Sequence, residues 1–118
     1  MIIAVYGTLK RGMANHKLLS DSVFIGDDHL ANFALYDLYE CPAARIEPSD
    51  GIHVEVYEVS QKALSMLDDL EEVDHEHPEK GLYRRAQCAT RFGIAWIYLY
   101  NGAVQGFPRL MSGSWPSI

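Results

Sequence analysis

Long hydrophobic runs, cysteines and basic residues are all scarce in this sequence of 118 residues. No stretch approaches the roughly 20 apolar residues that a membrane-spanning helix needs. Two cysteines are too few for a disulfide framework, so Cys41 and Cys88 are expected to be reduced thiols packed in the interior. The apolar segment 1–6 is too short for a secretory signal and lacks a basic region, so we expect a soluble, cytoplasmic protein.

Acidic residues outnumber basic ones, with 16 aspartates and glutamates against 10 lysines and arginines and a net charge of −6. A nucleic-acid interface requires a stripe of positive charge. The only adjacent basic pairs here are Lys10-Arg11 and Arg84-Arg85, so the composition argues against a nucleic-acid partner. A hydrophobic content of 48% is typical of a globular protein, and residues 1–118 are expected to form a single domain.

The pattern of apolar residues predicts an α+β fold in which strands dominate. Residues 2–6 form an uninterrupted apolar run that ends at Gly7, as expected for a strand buried on both faces. Residues 52–57 alternate between apolar and polar, and residues 83–90 and 94–100 are predicted to form a hairpin. The remaining predictions are a short helix over 15–19, strands over 23–36 with a turn at 26–28, an irregular segment over 38–49, a charged loop over 72–81 and a surface tail over 101–118.

One amphipathic helix is predicted to begin after Ser60, a suitable N-cap, and to end at about Leu70. Successive residues turn by about 100° around a helix axis, which separates an apolar face from a polar one. The apolar face comprises Ala63, Leu64, Met66, Leu67 and Leu70, and the polar face includes Asp68, Asp69 and Glu72.

Glu71 is the exception among the acidic residues of this segment. It follows Leu64 by seven residues and would project within about 20° of it if the helix continued that far. A carboxylate that faces an apolar interior loses solvation, which raises its pKa toward the range of a general acid/base. The alternative is that the helix ends at Leu70 and that Glu71 turns into solvent. An error in helix phase would exchange the roles of Glu71 and Glu72.

A second candidate feature is the glycine turn after the first strand. The backbone amides of Gly7, Thr8 and Leu9 could point in one direction and bind an anionic group or a developing oxyanion. Gly7 and Gly12 have the spacing of a nucleotide-binding loop, but Met13-Ala14 stand where that motif requires Lys and Ser or Thr, which excludes it. The alternative is a glycine that only allows the chain to turn.

These segments together resemble the gamma-glutamylcyclotransferase-like, or AIG2-like, family over nearly the whole chain. Residues 6–12 with Asn15-His16 are similar to its opening Tyr-Gly-Ser/Thr-Leu loop. Residues 67–71 with Tyr83-Arg84-Arg85 are similar to its Leu-Asp-x-hydrophobic-Glu and Tyr-x-Arg signature. Each motif is weak alone, but their order and spacing make the set specific. The other matching segments are 35–38 with 42–43, 55–59, 95–98 and 112–115.

The resemblance implies a small mixed β-barrel with flanking helices and an enzyme of the transferase or lyase class. Its substrate would be a small γ-glutamyl amine or amino acid, whose α-amine attacks its own γ-carbonyl to release 5-oxoproline. Because the attack is intramolecular, no cofactor and no metal are needed. The resemblance makes Glu71 the catalytic acid/base. The substrate-binding residues that it implies are the backbone of Gly7, Thr8 and Leu9 and the hydroxyls of Tyr6 and Tyr83, for which ordinary packing is the alternative.

The chain departs from the family pattern in two places. Val54 stands where the family usually has glycine, which is expected to narrow the cavity, and the segment 72–82 is longer than is typical. We weigh two other functions: a non-catalytic family member that binds a carboxylate-bearing metabolite, and a metal site on residues 74–77. No residue specifies the leaving group or the oligomeric state.

Overall fold

The computed structural model describes residues 1–116, so the last two residues of the predicted tail lie outside it. None of the helices in this part of the chain is long and apolar enough to cross a membrane. Short 3-10 helices span His16–Leu19 and Pro78–Lys80. The other elements are β1 (Ile2–Val5), β2 (Val23–Leu30), β3 (Phe33–Asp37), β4 (Pro42–Ile46), β5 (Ile52–Glu58), α1 (Gln61–Leu70), β6 (Tyr83–Thr90) and β7 (Gly93–Tyr100).

Five strands form one mixed sheet in the order β2-β5-β1-β7-β6, and β3 pairs with β4 in a second, two-stranded sheet. The central strand β1 runs antiparallel to β5 and parallel to β7. The predicted α+β class is therefore confirmed, and the small mixed barrel of the prediction takes the form of these two sheets packed against each other.

The five-stranded sheet is covered on both faces, which explains the uninterrupted apolar run at its centre. Side chains alternate across a strand, so Ile3 and Val5 pack on the side of α1 while Ala4 and Tyr6 pack on the side of β3 and β4. Leu64 and Leu67 of α1 belong to the first of these cores. The end of β1 therefore lies where the two cores meet.

Two predictions about the segment before β5 are wrong. Strand β2 continues through the predicted turn at 26–28, with a shift in its register against β5 between Phe24 and Gly26. Gly26 allows close packing, since a Cβ there would lie 2.5 Å from the ring of Phe92. The predicted irregular segment 38–49 contains β4, whose first residue is Pro42. Proline is tolerated at the first position of a strand, and the pairing partner of β4 is β3.

Helix α1 has the predicted bounds, but two side chains lie on the opposite face from the one predicted. The Ser60 hydroxyl caps the helix by accepting a hydrogen bond from the Ala63 amide at 3.0 Å. Met66 is 45% exposed, whereas Asp68, expected in solvent, is 2% exposed. Asp68 is buried because β6 and β7 supply its partners, an ion pair with Arg85 at 2.9 Å and a hydrogen bond from the Tyr98 hydroxyl at 2.7 Å.

Candidate active site

A cavity of about 250 Å³ opens at the end of β1, between the loop that follows this strand and the end of α1. The starts of β4 and β6 complete its walls. The structure brings together around this cavity all the residues that were predicted to form the site, namely Tyr6, Gly7, Thr8, Leu9, Glu71 and Tyr83. Val54 is fully buried in the core and is not among the lining residues, so it does not narrow the cavity as expected.

The loop after β1 is held in place by its own hydrogen bonds. The Asn15 amide donates to the Thr8 carbonyl at 2.8 Å, and the Asn15 side chain donates to the Thr8 hydroxyl at 3.0 Å. Gly7 is required by close packing, because a Cβ would lie 2.7 Å from the ring of Pro42. Within residues 1–116, the backbone amides of Gly7, Thr8 and Leu9 have no hydrogen-bond acceptor. These three donors are therefore available to a ligand.

Glu71 lies on the opposite wall, immediately after the last residue of α1. It is the C-cap, and its amide still donates to the Leu67 carbonyl at 2.9 Å. The helix thus ends at Leu70, as the alternative had it, but the Glu71 side chain lines the cavity instead of turning into solvent. Burial raises the pKa of Glu71 to about 7, and the neighbouring charge of Glu72 adds to the effect.

Glu72 has a different environment from Glu71. Its backbone has a φ of 55°, in the left-handed region, and its side chain is exposed. The reversal of the chain at Glu72 explains how two adjacent glutamates come to face a cavity and solvent respectively. The structure therefore places Glu71, and not Glu72, at the cavity.

Two buried tyrosines form much of the remaining wall. The Tyr6 hydroxyl donates to the Tyr98 carbonyl, and the Tyr83 hydroxyl donates to the Pro42 carbonyl at 2.8 Å. Burial is the main cause that raises the pKa of both phenols, so both are protonated at neutral pH. Because each hydroxyl proton is bound to a backbone carbonyl, a ligand that reaches these phenol oxygens must itself be the hydrogen-bond donor.

Sequence reasoning missed several residues at this cavity. Cys41, predicted as a packed interior thiol, lies on the wall with its sulfur 3.6 Å from the Tyr83 hydroxyl. Tyr98 and Leu82 also line the cavity. Their positions depend on strand pairing between distant parts of the chain, which has no local signal in the sequence. Asn15 and Tyr98 belong to segments that the resemblance had already singled out, although neither was predicted to be a site residue.

The charged loop after α1 does not assemble the alternative metal site. Asp74 accepts hydrogen bonds from the backbone amides of His77 at 2.9 Å and Glu76 at 3.0 Å, and these bonds lower the pKa of its carboxyl. Residues 1–116 contain no group of three or more side chains placed to hold a metal ion. Asp74 therefore stabilises a turn in the loop.

Comparison with known proteins assigns this chain to a family. A model of the family described as "Gamma-glutamyl cyclotransferase, AIG2-like" matches residues 3–117. The chain belongs to this family. A relative from Vibrio cholerae is 38% identical over 115 residues, which cover 97% of this chain and 94% of that protein. The gamma-glutamylcyclotransferase family protein YtfP of Escherichia coli is 34% identical over 116 residues, covering 98% of this chain and 96% of YtfP.

A solved structure has the same fold as this chain. The crystal structure of an uncharacterized protein from Pyrococcus horikoshii superposes with a TM-score of 0.80 at 30% sequence identity. The alignment covers 97% of this chain and 88% of that one. The likeness therefore extends over the whole architecture and includes the elements that position the cavity.

Proposed function

We propose that the protein is a γ-glutamylcyclotransferase that releases 5-oxoproline from a γ-glutamyl amine or amino acid, with Glu71 as the general acid/base. The observation that carries this proposal is the Glu71 carboxyl in a cavity, with its pKa raised to about 7. Near neutral pH such a group exists in both protonation states. It can therefore accept a proton in one step and return it in the next.

The reaction follows from the groups around the cavity. The Glu71 carboxylate accepts a proton from the α-ammonium group of the substrate, and the freed amine attacks the γ-carbonyl carbon to close a five-membered ring. The resulting oxyanion accepts hydrogen bonds from the backbone amides of Gly7, Thr8 and Leu9. As the bond to the leaving nitrogen breaks, Glu71 returns its proton to that nitrogen and the carbonyl of 5-oxoproline re-forms. The ring nitrogen, which entered the ring with two protons, then gives one of them through Glu71 to the departing amine, which leaves as an ammonium ion.

The residues of the cavity wall support these roles for the backbone amides and for Glu71. No Lys, Arg or His lies among the described residues that line the cavity, so neutral donors must bind the negative groups of a substrate. The three backbone amides without acceptors can do so. The phenol oxygens of Tyr6 and Tyr83 can accept hydrogen bonds from the ammonium group. Since ring closure is intramolecular, holding the substrate in the reactive geometry accounts for much of the rate.

The experiment is release of 5-oxoproline from a panel of γ-glutamyl amines and amino acids. We expect Glu71→Gln to lower kcat by about 10³-fold, because glutamine has the same shape but cannot exchange a proton at this site. The matched control is Glu72→Gln, which removes the neighbouring exposed charge and should retain turnover on the plateau of the pH profile. An unchanged kcat in Glu71→Gln would overturn the mechanism.

The alternative function is a non-catalytic member that binds a carboxylate-bearing metabolite through the same cavity. The free amides of Gly7, Thr8 and Leu9 favour it equally, since they would bind a carboxylate as well as an oxyanion. Absence of turnover across the panel, together with saturable binding of 5-oxoproline or glutamate, would favour this alternative over the enzyme.

A further inference from the structure

A second cleft, of about 210 Å³, lies between β4, β6 and the end of β7. It shares no lining residue with the cavity that contains Glu71. Two arginines, Arg45 of β4 and Arg84 of β6, contribute to its walls together with Tyr100 and Asn101. None of the described residues that line this cleft carries a carboxylate. The cleft is therefore positively charged in a chain whose net charge is −6.

The two guanidinium groups are anchored to consecutive residues, Gly102 and Asn101. Arg45 Nη1 donates to the Gly102 carbonyl at 2.9 Å, and Arg84 Nη1 donates to Asn101 Oδ1 at 3.0 Å. Asn101 is itself fixed, because its Nδ2 donates to the carbonyls of Pro78 at 2.7 Å and Gly81 at 2.9 Å. The positions of both guanidinium groups are therefore set before any ligand binds.

Among the residues that the structure describes, both arginines keep most of their donors free. A guanidinium group has five N–H donors, and each of these two has a single hydrogen bond to a neutral oxygen. Three of the other four arginines are paired with carboxylates: Arg11 with Glu55 at 3.5 Å, Arg85 with Asp68 at 2.9 Å and Arg109 with Glu47 at 3.8 Å. The fourth, Arg91, is exposed to solvent. Within residues 1–116, neither arginine of the cleft has an acidic partner. Two partly buried positive charges thus line one cleft, with no counter-ion among the residues that the structure describes.

We propose that this cleft binds a phosphate group between Arg45 and Arg84, either as free phosphate or as the monoester group of a small metabolite. The planar fork of each guanidinium matches two oxygens of a phosphate, and a dianion neutralises both charges at once. The site does not depend on the proposed cyclotransferase function. Its position is nevertheless close to that cavity, because the Tyr100 ring of the cleft packs edge-on against Tyr83 with centroids 5.2 Å apart.

The experiment is a titration of the intact protein with inorganic phosphate and, separately, with glycerol phosphate, followed by amide NMR at constant ionic strength. We expect saturable shifts confined to the residues around Arg84, Asn101 and Gly102. Tighter binding of glycerol phosphate would identify a monoester as the ligand, and tighter binding of phosphate would identify the free ion. Shifts that are spread over the surface, or that do not saturate with either probe, would overturn the proposal.

Charge-matched variants separate a site from general attraction to positive charge. We expect Arg45→Gln and Arg84→Gln each to weaken phosphate binding by about tenfold or more, since each removes charge-assisted hydrogen bonds. The control is Arg91→Gln, which removes the same charge from an exposed position and should leave the affinity unchanged. If Arg84→Gln fails to fold, phosphate affinity is measured instead in Arg45→Gln and in Arg84→Lys, which keeps the positive charge but not the planar guanidinium fork. Equal losses of affinity in Arg45→Gln and Arg91→Gln would overturn the proposal.

Discussion

Asp68 and Glu71 lie one helical turn apart at the end of α1, and both carboxylates are withdrawn from solvent, but only Asp68 is neutralised by cations. Asp68 pairs with Arg85 at 2.9 Å and accepts a hydrogen bond from Tyr98 at 2.7 Å. Glu71 has no such partner within residues 1–116, and its pKa is raised to about 7. Burial alone therefore does not decide what a carboxylate does. The compensated one joins the helix to the sheet, whereas the uncompensated one holds a proton that it can exchange.

The largest effect should follow from removing the charge of Asp68, the compensated carboxylate. We expect Asp68→Asn to lower the free energy of unfolding by about 3 kcal/mol, because the substitution leaves the Arg85 guanidinium unpaired in a site where its side chain is 19% exposed. Chemical denaturation at pH 7 measures the change. Asp69→Asn is the matched control, since Asp69 is exposed on the same turn and should change stability little. Equal losses in both variants would show that Asp68 is not compensated as described.

Replacing Glu71, the uncompensated carboxylate, should raise the free energy of unfolding at neutral to alkaline pH, whereas replacing Asp68 lowers it. Because the folded-state pKa of Glu71 is about 7 against 4.5 in the unfolded chain, the folded state loses stability as pH rises between these values. Glutamine does not titrate, so Glu71→Gln should be more stable than the wild type at pH 8, on the order of 2 kcal/mol. The difference should shrink toward pH 4.5. Denaturation at pH 5 and pH 8 measures it, and a difference that does not vary with pH would contradict the raised pKa.

The sequence predicted those parts of the fold whose signals are local. The apolar run of β1, the Ser60 cap of α1 and the hairpin of β6 and β7 each depend on residues that are close in the chain, and all three are present in the structure. Strand β4 was missed because Pro42 at its start and Pro48 just after it indicate irregular structure. Only its pairing with β3 reveals it as a strand. A pairing between strands leaves no signal in the local pattern of residues along either strand.

Local patterns were equally limited in predicting the candidate site. Helix arithmetic directed Glu71 inward by continuing the helix past Leu70, yet the helix ends there and the side chain reaches the cavity from the C-cap position. The arithmetic also placed Asp68 in solvent, because the angle of a residue around the helix axis carries no information about partners on other elements. The partner Tyr98 lies 30 residues away in sequence, on β7. A helical wheel therefore separates two faces but does not show which carboxylates find a partner.

The smallest expected effect is the most specific test of Glu71, because it changes the environment of the carboxylate and leaves the carboxylate in place. The Glu72 charge raises the pKa of Glu71, so Glu72→Gln should lower that pKa. Glu71 must be deprotonated to accept the substrate proton, and kcat/KM should therefore rise with pH through this pKa. In Glu72→Gln the acidic limb should move to lower pH by less than about one unit, since an exposed charge is screened by salt.

A pH profile of kcat/KM from pH 5 to pH 9 measures this shift, with added salt expected to reduce it. Glu79→Gln is the control, because Glu79 is an exposed acid of the same loop but is not among the causes that shift the pKa of Glu71. At pH 6 the Glu72→Gln protein should be faster than the wild type, and the two should be equal on the plateau. A limb that moves equally in both variants would reflect net charge alone. A limb that moves only in Glu72→Gln would identify the group that titrates as the neighbour of Glu72, which is Glu71 and not the compensated Asp68.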